Sequence, residues 1–309
     1  MQNAATPPPS GAQWTISAAG HEAVIVEVGG GLRTYRHDGT DYLDGYDLDE
    51  ICPGGAGQVL APWPNRIRDG QYSFGGRALQ LTLTEPTRNN AIHGLVNWAR
   101  WHLVEQADDA VTVGYDLPPH PGYPWGLRLR NRYAVGPDGL LVEHEVTNVG
   151  DGPCPFGFST HPYLRLPGVA VDDILIQVPG RTRVMLDGRL LPVGATPVAG
   201  TEYDYTSPRR IGDAVLDAAF GEVIRAADGG SSVTLAAPDD AVAVRIWADR
   251  EFGWWQVFTG DTLGGERHRR SVAVEPMTCP PDAFRSGKDV ITLEPGDTWR
   301  GTWGIRPGA

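Results

Sequence analysis

Apolar and polar residues alternate in short runs along most of the chain, which is the pattern of β-strands with one buried face. His21–Val28 reads HEAVIVEV, and Leu127–Val135 and Leu140–Val149 alternate on either side of a GPDG turn. Forty glycines and 26 prolines separate such runs, and helical periodicity never persists beyond about two turns. Only Ile211–Phe220 and Pro281–Arg285 are predicted as short helices. The pattern therefore predicts an all-β protein, a large β-sandwich of roughly fifteen or more strands with few short helices.

The first twelve residues differ from the remainder. MQNAATPPPSGA is rich in proline and alanine, so residues 1–12 are expected to be disordered. No linker-like change of composition divides residues 13–309, and no internal repeat of fixed period favours a propeller or a β-helix. The sequence thus predicts one β-sandwich domain over residues 13–309.

The charge of the chain narrows the class of partner. Its 309 residues carry a formal net charge of -12 and no block rich in lysine or arginine, so a nucleic acid is not an expected partner. The N-terminal residues have neither the basic nor the apolar stretch of a signal peptide, and no segment approaches the roughly 20 apolar residues that span a bilayer. We therefore expect a cytoplasmic protein without membrane contact.

Several kinds of catalytic site have no sequence signal here. The three cysteines, Cys52, Cys154 and Cys279, are too scattered for a disulfide framework, and none has metal-ligand spacing. There is no G-x-S-x-G nucleophile motif, phosphate-binding glycine loop or dinucleotide fingerprint. We expect no metal and no cofactor, which leaves acid–base side chains as candidates.

The first such candidate is Glu275, at the end of a predicted strand. Ser271–Glu275 alternates as SVAVE, and Pro276 is predicted to end the strand because it lacks a backbone donor. A carboxylate held by a rigid Glu-Pro step is well placed to act as a general base, for which position matters before pKa. The alternative is a strand-end glutamate that faces solvent.

Two histidines occupy comparable settings. His93 precedes a glycine in NNAIHGLVNW, where we expect a turn that lets the backbone approach a ligand. His161 precedes Pro162 in FGFSTHPYLRLP, which favours an extended conformation at a strand end. A structural role is the alternative for both, and His120, in PPHPGYPWG, is a rival site candidate. The other histidines are predicted to pack in the sheet (His102 and His144) or to lie at the surface (His21, His37 and His268).

Two further stretches carry side chains suited to a sugar. In LAPWPNRIR, prolines flank Trp63, and Asn65 and Arg66 follow, so an indole face lies beside a guanidinium that donates to hydroxyls. A structural proline-rich loop is the alternative. In VLDAAF, Asp217 lies within an apolar run, where an unpaired carboxylate is costly. It either caps the predicted short helix, which the segment alone favours, or faces a polar pocket.

In combination these residues favour a His/Glu acid–base pair that acts on a neutral substrate. A glycosidase that pairs Asp217 with Glu275 remains an alternative. The ordered motifs also resemble those of the aldose 1-epimerase, or galactose mutarotase, family from about residue 13 to residue 306. NRIRDGQYSFGGRALQL is similar to the family's Asn-Arg-Ile segment, AIHGL to its His-Gly motif, STHPYLRLPG to its His-x-Tyr motif, VLDAAF to its Leu-Asp element and VAVEPMTCPPDAF to its catalytic Glu segment. Where the best-known galactose mutarotases have Asn-Leu after the aromatic residue, this chain reads HPYLRLPG.

The resemblance implies a galactose mutarotase-like β-supersandwich and a cofactor-independent isomerase that interconverts the α and β anomers of a hexose such as galactose or glucose. An ionised Glu275 would be the general base that takes the proton of the anomeric hydroxyl. His161 would be the general acid that protonates the ring oxygen, and His93 would orient the substrate. The remaining substrate-binding residues would be Trp63, Asn65, Arg66 and Asp217.

Two alternatives share the implied fold. A hexose-6-phosphate 1-epimerase uses the same His/Glu chemistry and needs additional cations at the pocket, for which Arg88 and Arg33 are candidates. A non-catalytic sugar-binding protein would keep the pocket but has no need of a matched acid–base pair. The expected partner is a monosaccharide, and the chain is expected to be a monomer or a homodimer.

Overall fold

The computed structural model describes residues 7–239 and 241–308. In these residues the chain forms 27 β-strands and one α-helix of four residues, α1 (Ala283–Ser286). The strands of the first half are β1 (Gln13–Ala18), β2 (His21–Val26), β3 (Leu32–His37), β4 (Thr40–Asp41), β5 (Val59–Leu60), β6 (Arg66–Arg68), β7 (Gln71–Phe74), β8 (Arg77–Gln80), β9 (Asn90–Ile92), β10 (His102–Gln106), β11 (Ala110–Leu117), β12 (Leu127–Gly136), β13 (Gly139–Asn148) and β14 (Cys154–Phe156).

The strands of the second half are β15 (Ser159–Thr160), β16 (Tyr163–Leu164), β17 (Leu175–Gln177), β18 (Gly180–Leu186), β19 (Pro192–Pro197), β20 (Arg209–Arg210), β21 (Asp217–Val223), β22 (Ser231–Ala236), β23 (Ala243–Ala248), β24 (Trp254–Phe258), β25 (Val272–Met277), β26 (Ile291–Leu293) and β27 (Thr298–Pro307). Single 3₁₀ turns lie at Pro53–Gly55, Pro86–Arg88, Val171–Asp173 and Gly265–Arg267. The predicted all-β class is confirmed.

Most strands belong to two large antiparallel sheets. The larger sheet has nine strands in the order β10-β11-β12-β13-β27-β23-β22-β17-β20. The other sheet has eight strands in the order β19-β18-β21-β24-β25-β15-β5, with β16 paired to β25 as well. Strands β1 to β4 form a separate four-stranded sheet, and β6-β9, β7-β8 and β14-β26 are two-stranded pairs.

The two large sheets share one hydrophobic core. Val146 of β13 and Val233 of β22, in the nine-stranded sheet, belong to the same buried cluster as Val257 of β24 in the eight-stranded sheet. Full burial of such a side chain stabilises the fold by about 1.5–3 kcal/mol. A hydrogen bond also joins the sheets, because Trp255 Nε1 donates to Ser231 Oγ over 3.0 Å. The predicted β-sandwich is therefore confirmed.

Strand β25 runs through the middle of the eight-stranded sheet and continues past Glu275. The prediction that Pro276 ends this strand is wrong, because Pro276 lies opposite Trp255 in the ladder with β24. On the other side of β25, Val274 N–H donates to Pro162 O and Thr278 N–H donates to Phe158 O. Pro276 lies between these two donors, opposite Thr160 in the same register, so its missing N–H leaves out one hydrogen bond of this ladder.

The two predicted helices have different outcomes. Pro281–Arg285 overlaps the short helix α1, so a helix in this segment is confirmed. The helix predicted over Ile211–Phe220 is wrong, since Asp217 begins β21, which pairs with β18 and β24. The short apolar run has no strong local preference, and sheet pairing at both edges determines its conformation.

The histidine predictions also have mixed outcomes. His144 is buried as predicted, with Nδ1 2.7 Å from Asn131 Oδ1 and Nε2 accepting a hydrogen bond from Trp303. His102, predicted to pack in the sheet, is exposed because β10 is an edge strand that the other sheets leave uncovered. His21, predicted at the surface, is buried, and its ring stacks on His37 with 3.9 Å between centroids. His37 itself is half-buried, and His268 is exposed as predicted.

At the N-terminal end, residues 1–6 of the segment predicted to be disordered lie outside the described residues. Residues 10–12 run beside the residues that follow β2, where Ser10 O accepts a hydrogen bond from Val28 N–H and Ala12 O accepts one from Glu27 N–H. The division into a single domain over residues 13–309 stays a prediction. No helix in the part of the chain that the structure describes is long and apolar enough to cross a membrane.

Candidate active site

A pocket of about 190 Å³ lies on the face of the eight-stranded sheet that points away from the shared core. Side chains alternate between the two faces of a strand, and Val257 and Val274 belong to the core cluster. Gln256 of β24 and Glu275 of β25 therefore point to the opposite face, where they lie directly across from each other in the ladder. Asp217, at the start of β21, joins them through a hydrogen bond of 2.5 Å from Gln256 Nε2 to its Oδ1.

Asp217 thus lines the pocket, and the helix cap that its segment alone favoured is wrong. The described residues also form a larger groove of about 590 Å³, which includes Arg225, Ser231 and Trp247. That groove contains no pair of buried acid–base groups, so the smaller pocket is the better candidate for chemistry.

The two candidate histidines reach the pocket from loops. His161 lies in the interruption between β15 and β16, where its N–H donates to Gln58 O and its carbonyl accepts from Gly57 N–H. His93 follows β9 with a φ of 63°, and its N–H donates to Asn65 O over 3.0 Å. The two rings meet edge to face with 5.5 Å between centroids. The sequence motifs therefore converge, although 68 positions separate the two histidines (161 minus 93).

The closest acid–base contact in the pocket is between His161 and Glu275. His161 Nε2 lies 3.4 Å from Glu275 Oε1, and the two side chains are only 7% and 3% exposed. His161 also has an aromatic neighbour, because its ring stacks on that of Tyr163 with 4.9 Å between centroids. A base and an acid are thus held next to each other in a site that excludes most water.

Burial determines the protonation of this pair. It lowers the pKa of His161 to about 4. It raises the pKa of Glu275 well above its usual value, with Asp217 adding to the rise and Arg66 opposing it. Burial therefore shifts both groups toward their neutral forms, in the direction opposite to the ionised Glu275 that the resemblance implied.

The other acid–base groups in the pocket are shifted by the same cause. Burial lowers the pKa of His93 well below its usual value, and the nearby His161 and Arg66 lower it further. Burial raises the pKa of Asp217, against the opposing effects of Arg66 and Arg88. Strongly perturbed groups clustered in one cleft are typical of functional sites.

Arg66 lines the pocket and is held by a partly buried carboxylate. Its Nε and Nη2 donate to the two oxygens of Glu85 over 2.9 and 3.0 Å, and Arg88 and Asn90 donate to the same carboxylate. Burial would raise the pKa of Glu85, but the hydrogen bonds from Arg66 and Asn90 outweigh it, so that the pKa is lowered. This bidentate pair fixes the plane of the guanidinium relative to the pocket.

Other predicted site residues have mixed placements. Asn65 also lines the pocket, and its Oδ1 accepts a hydrogen bond from Arg66 N–H. Trp63 does not line it: the side chain is buried, and its ring packs on Phe284 of α1 with 5.9 Å between centroids. The expected indole platform for a sugar is therefore absent from this pocket. His120, the rival candidate, lies in a different loop, with its Nδ1 2.8 Å from Pro118 O.

Sequence reasoning missed several residues that line the pocket. Gln256 had a usable signal, since it is the one polar residue of the apolar strand WWQVF. Tyr163 lies two residues after His161 in the same motif, but no role in the site was predicted for it. Leu190 comes from the turn of a distant hairpin, and no local pattern connects it to the site.

Four polar atoms of this pocket are buried without a hydrogen-bond partner among residues 7–239 and 241–308: His93 Nδ1, His161 Nδ1, Gln256 Oε1 and Glu275 Oε2. An unsatisfied buried polar group costs about 1–3 kcal/mol. These four atoms are available to hydrogen-bond a polar ligand in the pocket. Across those same residues, no three His, Cys, Asp or Glu side chains are grouped as metal ligands.

The fold is galactose mutarotase-like. The family model for aldose 1-epimerase matches residues 12–306. The chain therefore belongs to the aldose 1-epimerase family, and the resemblance identified from its motifs is confirmed.

The chain is also similar to individual relatives and solved structures. The chain is 34% identical over 292 residues to the protein YihR of Escherichia coli K12, covering 94% of this chain and 92% of the relative. It is 25% identical over 264 residues to the maltose epimerase of Levilactobacillus brevis, covering 77% and 74% of the two chains. Its fold is similar to the crystal structure of galactose 1-epimerase from Lactobacillus acidophilus NCFM, with a TM-score of 0.80, 20% identity, and coverage of 96% of this chain and 95% of that one.

Proposed function

We propose that this protein is a mutarotase that interconverts the α and β anomers of a free hexose such as glucose or galactose. The observation that carries the proposal is the buried pair of His161 and Glu275, 3.4 Å apart in a pocket of about 190 Å³. Membership of the aldose 1-epimerase family supports the reaction class. A protein that only binds sugar needs no matched acid and base.

The proposed reaction begins with the ring opening of the bound pyranose. Glu275 removes the proton of the anomeric hydroxyl while His161 donates a proton to the ring oxygen. The bond from C1 to the ring oxygen then breaks, leaving an aldehyde at C1 and a hydroxyl at C5. Rotation about the C1–C2 bond presents the other face of the aldehyde, and ring closure with the proton transfers reversed gives the opposite anomer.

The protonation of the free pair is compatible with these roles. A neutral Glu275 with a neutral His161 contains the same single proton as an ionised Glu275 with a protonated His161, so the two forms differ only by a transfer across the 3.4 Å contact. The two groups therefore titrate as one unit. Acid–base catalysis of this kind typically contributes about 10²–10⁴-fold to a rate.

The remaining pocket residues bind and orient the sugar in this proposal. His93 lies beside His161 and contributes a hydrogen bond near the ring oxygen. The guanidinium of Arg66 and the carboxyl group of Asp217 hold ring hydroxyls, and Asn65 and Gln256 add polar contacts from the same walls. Because the reaction is an isomerisation without a change of oxidation state, acid–base side chains complete every step.

A hexose-6-phosphate 1-epimerase is the second candidate, because Arg88 lines the pocket together with Arg66. A neutral sugar is favoured over it, since both arginines already pair with the carboxylate of Glu85. Arg33 does not support the phosphate alternative: it lies away from this pocket and donates to Tyr46 O.

Polarimetry or NMR exchange tests the proposal with freshly dissolved α-D-glucose, α-D-galactose and their 6-phosphates. We expect the wild-type protein to accelerate equilibration of the free sugars, and Glu275→Gln and His161→Asn to abolish the acceleration. His120→Asn is the matched control, since that histidine lies outside the pocket, and it should retain activity. Acceleration of the 6-phosphates alone would establish the second candidate. Sugar binding without acceleration would favour a binding protein.

A further inference from the structure

The turn that joins β18 to β19 reaches the pocket and places Leu190 in its lining. Leu190 has a φ of 58°, a conformation unusual for a branched side chain. Asp187 stabilises the turn, because its Oδ1 accepts hydrogen bonds from the N–H groups of Arg189 and Leu191 over 2.8 and 3.1 Å. The turn therefore presents Leu190 to the pocket in one defined position.

Arg189 fastens this turn to the neighbouring wall of the pocket. Its Nη2 donates to Asp69 Oδ1 over 2.7 Å and to Asn89 O over 2.8 Å. Its Nε donates to the carbonyl of Arg88 over 2.9 Å. Leu190 is thus attached to the segment that carries Arg88, whereas the backbone of His161 is hydrogen-bonded to Gln58 in a different segment.

This arrangement has a consequence for the substrate, which rests on the proposed function. If C1 and the ring oxygen of a pyranose lie against His161 and Glu275, then C4 lies across the ring and O4 points away from them. The pocket, at about 190 Å³, is smaller than the roughly 300–1,000 Å³ of pockets that hold larger ligands. Asn90, whose Nδ2 donates to Arg189 O over 3.3 Å, begins β9, and His93 follows the other end of that strand beside His161. The wall formed by Arg88 and Leu190 therefore lies at the end of β9 away from the two histidines.

We propose that Leu190 is a specificity-determining residue that restricts the substrate to a single sugar ring. A free hydroxyl at C4 fits against its side chain, whereas a second sugar linked through O4 overlaps it. Maltose has a free anomeric centre and carries its second glucose at O4, so it tests this restriction directly. The related maltose epimerase is named for that disaccharide.

The test compares glucose and maltose in the full-length wild type, Leu190→Ala, Arg189→Met and Val193→Ala. Val193 is the matched control, because it belongs to the same hairpin, is 62% exposed and does not line the pocket. We expect the glucose-to-maltose ratio of kcat/KM to fall roughly tenfold or more in Leu190→Ala, the scale of discrimination that apolar packing supplies. Arg189→Met should lower the ratio as well, because the turn is released, while Val193→Ala should match the wild type.

Wild-type turnover of maltose as fast as glucose would overturn the proposal, as would a Leu190→Ala ratio equal to that of Val193→Ala. Titration of both sugars into proteins that also carry Glu275→Gln measures the same preference without turnover. A wild type that binds glucose in preference to maltose but accelerates neither would refute the proposed mutarotase while supporting the size restriction. Failure to bind either sugar would overturn both.

Discussion

Glu85 is predicted to be a positioning residue for Arg66, although it does not line the pocket itself. Its carboxylate accepts two hydrogen bonds from Arg66 and one each from Arg88 and Asn90. The Arg66 and Glu85 side chains are 11% and 12% exposed, so solvent screens the pair weakly. Glu85→Gln keeps the shape of the side chain but removes its charge and turns one acceptor into a donor that faces a cation.

The size of the effect follows from these contacts. Hydrogen bonds to charged groups contribute about 1.5–3 kcal/mol each, and breaking a buried ion pair costs about 3–5 kcal/mol. Glutamine retains one of the acceptors, so we expect Glu85→Gln to lower the free energy of unfolding by about 2–4 kcal/mol. Each 1.4 kcal/mol lost from sugar binding through a displaced Arg66 raises KM about tenfold.

Calorimetry and steady-state anomerisation kinetics measure the two effects. The matched control is Glu143→Gln, because Glu143 accepts a 2.8 Å hydrogen bond from Arg132 in a pair that is 48% and 46% exposed. An exposed pair of this kind contributes about 0–1 kcal/mol. We expect KM to rise more than kcat falls in Glu85→Gln and both to stay unchanged in the control. Equal Tm and equal KM for the two variants would refute the positioning role of Glu85.

Three further outcomes are expected. The pH profile of kcat/KM should be bell-shaped. Its acid limb should lie near pH 4, where protonation of His161 adds a second proton to the His161–Glu275 pair, and its alkaline limb should follow the raised pKa of Glu275. An acid limb near pH 6.5 would contradict this. Burial lowers the pKa of His144 to about 3, so the free energy of unfolding falls as the pH drops below the pKa of an unfolded histidine, about 6.5. Denaturant unfolding of His144→Gln should therefore show a dependence of this free energy on pH that is smaller by about 1.4 kcal/mol per pH unit. Gly94→Ala should lower Tm and kcat/KM because an added Cβ overlaps Ala61 O beside His93. Gly39→Ala, at a similar φ of 75° but in open space, bears only the backbone strain. Similar losses in the two variants would contradict the overlap.

The all-β class and the turn at His93 could be predicted from the sequence because their determinants are local. Alternation with a period of two is a property of each strand, so the all-β class followed without knowledge of the partners of any strand. The His93-Gly94 turn likewise depends on adjacent residues, and His93 has the positive φ that such a turn requires. The residue types in the ordered motifs were sufficient to identify the family.

Other features depended on contacts between distant segments. Asp217 reaches the pocket because β21 pairs with β24, whereas its own segment favoured a helix cap. Pro276 stays within β25 because the ladder with β24 continues past it and the flanking Val274 and Thr278 donate hydrogen bonds on its other side. Leu190 joins the site through the hydrogen bonds that Arg189 makes to another segment. Sequence periodicity carries no information about such pairings.

The protonation of the site belongs to the tertiary structure as well. A glutamate has a pKa near 4.5 and a histidine one near 6.5 when water surrounds them, which is why the sequence alone indicated an ionised Glu275. The fold removes that water and places Asp217 nearby, so that burial favours the neutral forms of Glu275 and His161. The sequence by itself determined which acid and base are present, and the packing around them decided the direction in which each pKa is shifted.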